Sequence, residues 1–194
     1  MTIIEAVATL FGIICVWLTV KQNIWCWPTG LIQVLLYIFV FYEAKLYSDV
    51  ILHIFYVVIN IYGWYHWLNG KHNKEELKVT IEGKLIGIWL ILCVVGTFCW
   101  GHLMYRFTDA SLPYLDSFIA TASIFAQWLM AKKKLESWFF WIAVDIVAVC
   151  VYWIKGLYLT TGLYSIFLIL ATLGYFEWRK AYLNSKLIAE TAYE

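Results

Sequence analysis

The sequence predicts an all-α membrane protein with seven transmembrane helices in a three-plus-one-plus-three arrangement. The first observation behind this prediction is composition: 63% of the 194 residues are hydrophobic and only 14% are charged, and mean hydropathy is +0.75. No soluble fold of this size has enough interior to hide so many apolar side chains, so a soluble enzyme, a nucleic-acid binder and a disordered protein are excluded. The second and third observations are seven long apolar stretches and an internal repeat.

Each apolar stretch matches the roughly 20 residues that a helix needs to cross a bilayer. The first stretch has no Lys or Arg before Lys21, which indicates a retained helix rather than a cleavable signal peptide. The connections are short, apart from the polar segment 69–83. Any function must therefore lie within the helix bundle. In chain order, the predicted spans are 4–20, 28–44, 49–68, 84–104, 115–131, 138–154 and 158–178.

The orientation of the bundle follows from its basic residues. With seven spans the two termini face opposite sides, and Lys and Arg divide eleven to three in favour of the side that holds the C-terminus. Because Lys and Arg concentrate in cytoplasmic loops, this bias predicts a cytoplasmic C-terminus and an N-terminus outside.

The internal repeat appears when the chain is shifted by 111 residues, so that 10–67 aligns without a gap on 121–178. Eleven identities result, among them three Trp pairs and a Gly pair. Each copy holds three spans, and a linker span between them lets both copies run in the same direction. Parallel repeats of this kind occur in secondary transporters that bind substrate near mid-membrane at the repeat interface. The predicted organisation is a first repeat with its loop at 1–83, a linker at 84–114, a second repeat at 115–180 and a tail at 181–194.

The carboxylate of Asp145 is the leading candidate for a substrate contact. It lies near the centre of the span 138–154, which contains no basic residue. Trp138, Trp141 and Tyr152 fall within about 60° of it on one helix face. Because charge is costly in a bilayer, an acid flanked by aromatic rings suits an organic cation, through charge pairing and cation–π contact. A structural hydrogen bond to a neighbouring helix is the alternative interpretation.

Amide and phenol side chains in other spans extend the candidate site. Gln127 is the candidate ligand group of the fifth span. In the second span, Gln33 and Tyr37 share a face, and Gln33 falls one position from the repeat partner of Asp145. Polar groups of this kind serve helix packing as readily as ligand binding, and both interpretations stay open.

The third span carries Asn60 at its centre, which completes the set of candidate substrate contacts. His53 on the same stripe is interpreted as a satisfied histidine rather than a proton relay. Most of the tryptophans near helix ends are predicted to anchor in the two membrane interfaces. These tryptophans are Trp25, Trp27, Trp64 and Trp67.

Two other functional classes fit the sequence poorly. A membrane-embedded enzyme needs a nucleophile with a base, or a metal cluster, and the sequence shows neither spacing. A seven-helix photoreceptor needs a buried lysine, and 158–178 has none. The prediction is therefore a protein without catalytic residues, metal or cofactor, embedded in a lipid bilayer and not binding nucleic acid.

Several runs around Asn60 and Asp145 form a recognisable set of motifs. These runs are Leu46-Tyr47, Asn60–Trp67, Asp116-Ser117, Lys132–Lys134, Trp138–Asp145, Tyr152 and Lys155–Tyr158. Together they resemble the third-helix and sixth-helix signatures of the PnuC family of vitamin transporters, and the resemblance covers roughly residues 4–180.

The resemblance implies a bundle related to the sugar-transporting SWEET proteins, in the bacterial inner membrane. It also implies a homotrimer with one path per subunit, and facilitated diffusion of a vitamin that a cytosolic kinase traps by phosphorylation. Some family members have Asn at the position of Asp145. An acid there suits a cationic ring, which favours nicotinamide riboside as the substrate, with thiamine as the alternative, over neutral riboflavin.

Overall fold

The computed structural model describes residues 3–43, 47–72, 77–108 and 111–191. These residues form seven α-helices and a short 3-10 turn at Gly83–Leu85. The predicted all-α, seven-helix fold is confirmed, and each helix overlaps one predicted span. Five spans lie wholly within their helix, the span 84–104 begins in the 3-10 turn, and the last residue of the span 28–44 lies outside the described residues. The helices are α1 (Ile3–Val20), α2 (Cys26–Glu43), α3 (Tyr47–His72), α4 (Ile86–Phe107), α5 (Pro113–Ala131), α6 (Ser137–Ile154) and α7 (Tyr158–Thr191).

Five of these helices, α1, α2, α4, α6 and α7, are long and apolar enough to cross a membrane. The other two, α3 with 26 residues and α5 with 19, have the length, and they carry the polar positions Asn60 and Gln127. Many large apolar side chains point outward from the helices. An outward apolar surface of this extent is suited to lipid, where nothing drives these side chains inward.

The chain divides into two compact units. The first comprises Met1–Val79, Ala131–Lys133 and Phe176–Glu194, and the second comprises Thr80–Met130 and Lys134–Tyr175. The first unit therefore contains α1, α2 and α3 with the end of α7, while α4 and α6 lie in the second. The boundaries predicted for the two repeats stay a prediction.

One turn of the chain is built twice, once after α1 and once after α5. Gln22 and Lys133 have left-handed backbones, with φ 54° and 55°, and they are partners at the 111-residue shift. In both turns the next amide donates back to a carbonyl five residues earlier, Asn23 to Leu18 at 2.9 Å and Lys134 to Leu129 at 2.9 Å. This is the hydrogen bond that closes a helix in a Schellman motif. The repeat seen in the sequence therefore encodes the same helix ending in both copies.

A tryptophan lying on a glycine is likewise found in both repeats. In the first unit the Trp27 ring occupies the space that a side chain at Gly63 would need, and in the second unit Trp138 does the same at Gly174. Both pairs are identities of the internal repeat. A close approach of an indole to helix backbone requires glycine at that point, which explains why these four residues match between the copies.

Within the second unit, α4 and α5 also meet at glycines. Thr121 lies against Gly96 and Tyr114 against Gly101. At one end of this unit Lys155, after α6, donates to both carboxylate oxygens of Asp116 on α5, each at 2.8 Å. The ion pair is partly exposed, so it fixes the geometry of α5 and α6 more than it adds stability.

Candidate substrate site

Asp145 belongs to the second unit and is buried. Asp145 is 3% exposed, and its helix neighbours Val144 and Ala148 are fully buried. Within the residues that the structure describes, no hydrogen bond or ion pair reaches this carboxylate. Because an ionised carboxylate is costly to bury alone, the position suits a proton or a cation that the described residues do not themselves supply.

The aromatic residues of α6 have different surroundings. Trp138 is 1% exposed and lies on Gly174. Trp141 is half-buried and packs against a core that includes Ala126 and Leu129 of α5. Tyr152 is half-buried, with its ring centroid 5.1 Å from that of Tyr164. The predicted face of α6 is thus its buried face, with Trp141 and Tyr152 only partly covered.

Gln127 lies on α5, one residue after Ala126 of that core, and its side chain is half-buried. Since Trp141 packs on the same core, α5 and α6 are held together at this depth. The structure therefore brings the helix of Gln127 against the helix of Asp145 and Trp141. Its assignment to substrate binding stays a prediction.

The predicted residues of the first unit lie at contacts between helices. A side chain at Gly12 would meet the Gln33 amide nitrogen at 2.7 Å, so the Gln33 side chain packs against α1 at this glycine. The Tyr37 hydroxyl is 3.1 Å from the hydroxyl of Thr9. These two contacts join α1 to α2, and ligand binding by Gln33 and Tyr37 stays a prediction.

Asn60 is buried and joins α2 to α3. Its amide nitrogen donates to the carbonyl of Tyr56 at 2.8 Å, and its amide oxygen is 3.1 Å from the place where a side chain at Gly30 would begin. This geometry serves helix packing, and a ligand role for Asn60 stays a prediction.

His53 lies in an aromatic cluster of the first unit. Its ring centroid is 4.9 Å from that of Phe41 and 5.6 Å from that of Tyr56, both edge-on. Tyr37 is also adjacent, at 5.9 Å. These contacts agree with the interpretation of His53 as a packed histidine.

The second unit contains a corresponding cluster. Tyr164 is the repeat partner of His53, and its ring centroid lies 5.1 Å from that of Tyr152 and 5.9 Å from that of Phe167. Tyr152 and Phe167 are themselves the partners of Phe41 and Tyr56. The repeat thus preserves an aromatic cluster in each copy, with one imidazole in place of a phenol.

Two of the tryptophans predicted to anchor in the membrane interface have another role. Trp25 is 64% exposed, as an interfacial anchor should be, whereas Trp27 and Trp67 are buried. Interfacial anchoring is wrong for these two because Trp27 lies on Gly63, while the Trp67 indole donates to the carbonyl of Ala131 at 3.1 Å. The Trp and Gly pairs that match between the two repeats were the signal that could have distinguished these packed tryptophans from interfacial anchors.

The basic turn after α5 is occupied by contacts within the chain. In the first unit, Lys133 donates to the carbonyl of Leu77 at 2.7 Å and lies 4.8 Å from the centroid of the Trp67 ring. In the second unit, Lys134 pairs with Glu82 at 2.9 Å. Lys133 and Lys134 therefore contact residues 77 and 82, and both also belong to the basic residues on which the predicted membrane orientation depends.

The motifs that recur at the 111-residue shift, the outward apolar surface and the buried acid on α6 are features of a membrane transporter. The family model described as nicotinamide mononucleotide transporter matches residues 2–180, and the chain belongs to this family.

Curated relatives extend over most of the chain. The nicotinamide riboside transporter PnuC of Escherichia coli (strain K12) is 28% identical, covering 90% of this chain and 84% of the relative. PnuC of Neisseria mucosa is 31% identical, covering 91% and 72%. A crystal structure of the vitamin B3 transporter PnuC superimposes with a TM-score of 0.74 at 26% identity, covering 93% of this chain and 82% of that one.

The comparisons also include a relative with a different named substrate. The riboflavin/roseoflavin transporter RibM of Streptomyces davaonensis is 25% identical, covering 90% of this chain and 83% of the relative. The predicted resemblance to the PnuC family is confirmed, and the chain is a multi-pass membrane transporter rather than an enzyme.

Proposed function

We propose that this protein takes up nicotinamide riboside across the bacterial inner membrane by facilitated diffusion. The observation that carries the proposal is Asp145, a carboxylate 3% exposed on α6 with no partner among the described residues. The pyridinium ring of nicotinamide riboside supplies a positive charge on a flat aromatic system. Such a ring pairs with the carboxylate and stacks on a neighbouring indole, for which half-buried Trp141 is placed one helical turn away.

Thiamine is the alternative substrate, because its thiazolium ring is also a flat cation. The similarity to RibM makes riboflavin the third ligand to compare. Riboflavin is neutral, so its binding would leave the buried acid of Asp145 without a counter-charge, a costly arrangement in an apolar surrounding. The charge at position 145 therefore favours the two cationic vitamins.

Transport without ion coupling fits the distribution of acidic residues. Asp145 is the one Asp or Glu near the centre of a predicted span, and a proton pathway needs a chain of titratable groups. Uptake beyond equal free concentrations then requires removal of the free vitamin inside the cell, which phosphorylation by a cytosolic kinase would supply. The proposal includes a homotrimer in which each subunit has its own path.

Uptake into proteoliposomes tests substrate and energetics together. We expect labelled nicotinamide riboside to enter until the concentrations inside and outside are equal, and to exchange against unlabelled nicotinamide riboside. Unlabelled thiamine should compete more weakly, and riboflavin least. The measurement is counterflow of the labelled vitamin, with empty liposomes as the control.

Two results would count against this proposal. Accumulation above the outside concentration under an imposed proton or sodium gradient would contradict facilitated diffusion. Preferential exchange of riboflavin would show that the charge at Asp145 does not select the substrate.

Topology is tested by fusions at the C-terminus. The eleven-to-three distribution of Lys and Arg predicts that a C-terminal fluorescent protein glows in the cytoplasm, and that a C-terminal periplasmic phosphatase is inactive. A phosphatase fusion placed at the N-terminus serves as the matched control and should be active. The reverse pattern would overturn the orientation.

A further inference from the structure

Two hydrogen bonds tie the two repeats together reciprocally at the lysine-rich ends of their helices. Trp67, on the third helix of the first repeat, donates to the carbonyl of Ala131, at the end of the first helix of the second repeat, at 3.1 Å. Trp178, on the third helix of the second repeat, donates to the carbonyl of Thr19, near the end of the first helix of the first repeat, at 3.0 Å. All four residues belong to the first unit.

The two bonds are equivalent under the internal repeat. Trp67 and Trp178 are partners at the 111-residue shift, and their acceptors differ from exact partners by one residue. The rings also contact each other, with centroids 6.0 Å apart. Contact between equivalent residues is typical of a local twofold axis, where each copy presents the same surface to the other.

Burial makes both indole hydrogen bonds costly to break, and the contact between the two rings couples them. Trp67 is 4% exposed and Trp178 is 0% exposed, so neither indole N–H has water to replace its carbonyl. A buried donor that loses its acceptor keeps the full desolvation penalty. Movement of a third helix away from the first helix of the other repeat therefore breaks one bond and disturbs the ring contact that supports the second.

A cation reinforces one side of this arrangement. The Lys133 ammonium lies over the Trp67 ring and binds the carbonyl of Leu77. The repeat partner of Lys133 is Gln22, which has no charge to place over Trp178. Through Lys133, the Trp67 indole is thus linked to the backbone at Leu77.

We propose that these two bonds, here called the indole lock, form the gate of the lysine-rich end of the transport path. The structure holds the gate closed, and opening breaks both indole bonds in one cooperative movement. The identity of the solute that passes the gate rests on the proposed function. The cooperative opening is a property of the chain itself and can be measured without any substrate.

Hydrogen–deuterium exchange of the full-length protein in lipid nanodiscs tests the lock. Trp67→Phe keeps an aromatic ring, smaller than the indole, and removes the N–H donor. We expect amide exchange to accelerate about three- to tenfold, as the loss of one buried hydrogen bond implies, in peptides covering 129–134. The same acceleration is expected in peptides covering 18–23, where the unchanged Trp178 bond is made.

Three further variants sharpen the comparison. Trp178→Phe should give the same two-site response, and it tests the lock independently if the first variant does not fold. Lys133→Gln gives position 133 the same residue type as its repeat partner Gln22 and removes the cation over the Trp67 ring. It should accelerate amide exchange at both sites less than Trp67→Phe does. Trp25→Phe removes an indole N–H from a residue that is 64% exposed, and should change neither.

Acceleration confined to the turn that lost its donor would overturn the proposal, because it would identify two independent structural bonds. Failure of the proposed function is recognised separately. If the wild-type protein neither binds nor exchanges a vitamin, the substrate assignment fails, and the two-site exchange response still decides the lock.

Discussion

Replacement of Asp145 by asparagine is expected to weaken binding of nicotinamide riboside by about ten- to a hundredfold. The substitution keeps the size and part of the hydrogen-bonding capacity of the side chain while removing its charge. A charge pair in a partly dehydrated site couples by a few kcal/mol, and each ~1.4 kcal/mol is tenfold in affinity. Folding should be preserved, since within the described residues no hydrogen bond or ion pair of the fold involves this carboxylate.

The measurement is calorimetric binding of two ligands to wild type and variants. A neutral analogue with a dihydropyridine ring should lose much less affinity in Asp145→Asn than the cationic vitamin does. Trp141→Ala, the matched control on the same face of α6, should weaken both ligands because stacking needs no charge. Equal losses of the charged and neutral ligands in Asp145→Asn would mean that the aspartate serves the fold rather than the cation.

Alanine at Gly63 or Gly174 is expected to destabilise the protein strongly. The added methyl group would occupy the place of the Trp27 ring in one case and the Trp138 ring in the other. Overpacking of this kind costs about 1–3 kcal/mol or more, which corresponds to a melting temperature roughly 2–12 °C lower for a protein of this length. The measurement is thermal unfolding of the purified protein in a fixed detergent.

Two glycines provide matched controls for this substitution. A methyl group at Gly87 on α4 or at Gly162 on α7 meets no atom within 4 Å. Because alanine is the better helix former by up to about 1 kcal/mol, both control variants should melt at or above the wild-type temperature. If the control variants lost as much melting temperature as the Gly63 variant, contact with the indole ring would not be the cause of the destabilisation.

Hydropathy predicted the fold well because it reports directly on the membrane. The start of α7 was predicted at residue 158, and the first, fifth and sixth spans end where their helices end. The end of α7 was missed: the predicted span stops at Trp178, whereas the helix continues to Thr191. Beyond the apolar part, helix is maintained by backbone hydrogen bonds and propensity, which a search for bilayer-length apolar runs does not measure.

The candidate site was predictable where one residue carries the signal. A central acid in an apolar span is informative alone, so Asp145 was singled out, and it is buried in the structure. Its role as a substrate contact stays a prediction. The role of Trp67 was not found, because its partner is a backbone carbonyl 64 residues away. Side-chain identity shows where an indole is, but the acceptor of its hydrogen bond depends on tertiary packing.

The bond between Trp178 and Thr19 also has a consequence for biogenesis. It joins residues 159 positions apart, so the first helix reaches its final partner only after nearly the whole chain has been synthesised. At about 5–20 residues per second, α1 waits on the order of ten to thirty seconds in the membrane before the Thr19 carbonyl finds its donor. During that interval the Thr19 carbonyl is without its indole donor, and a chain truncated before Trp178 cannot form this bond.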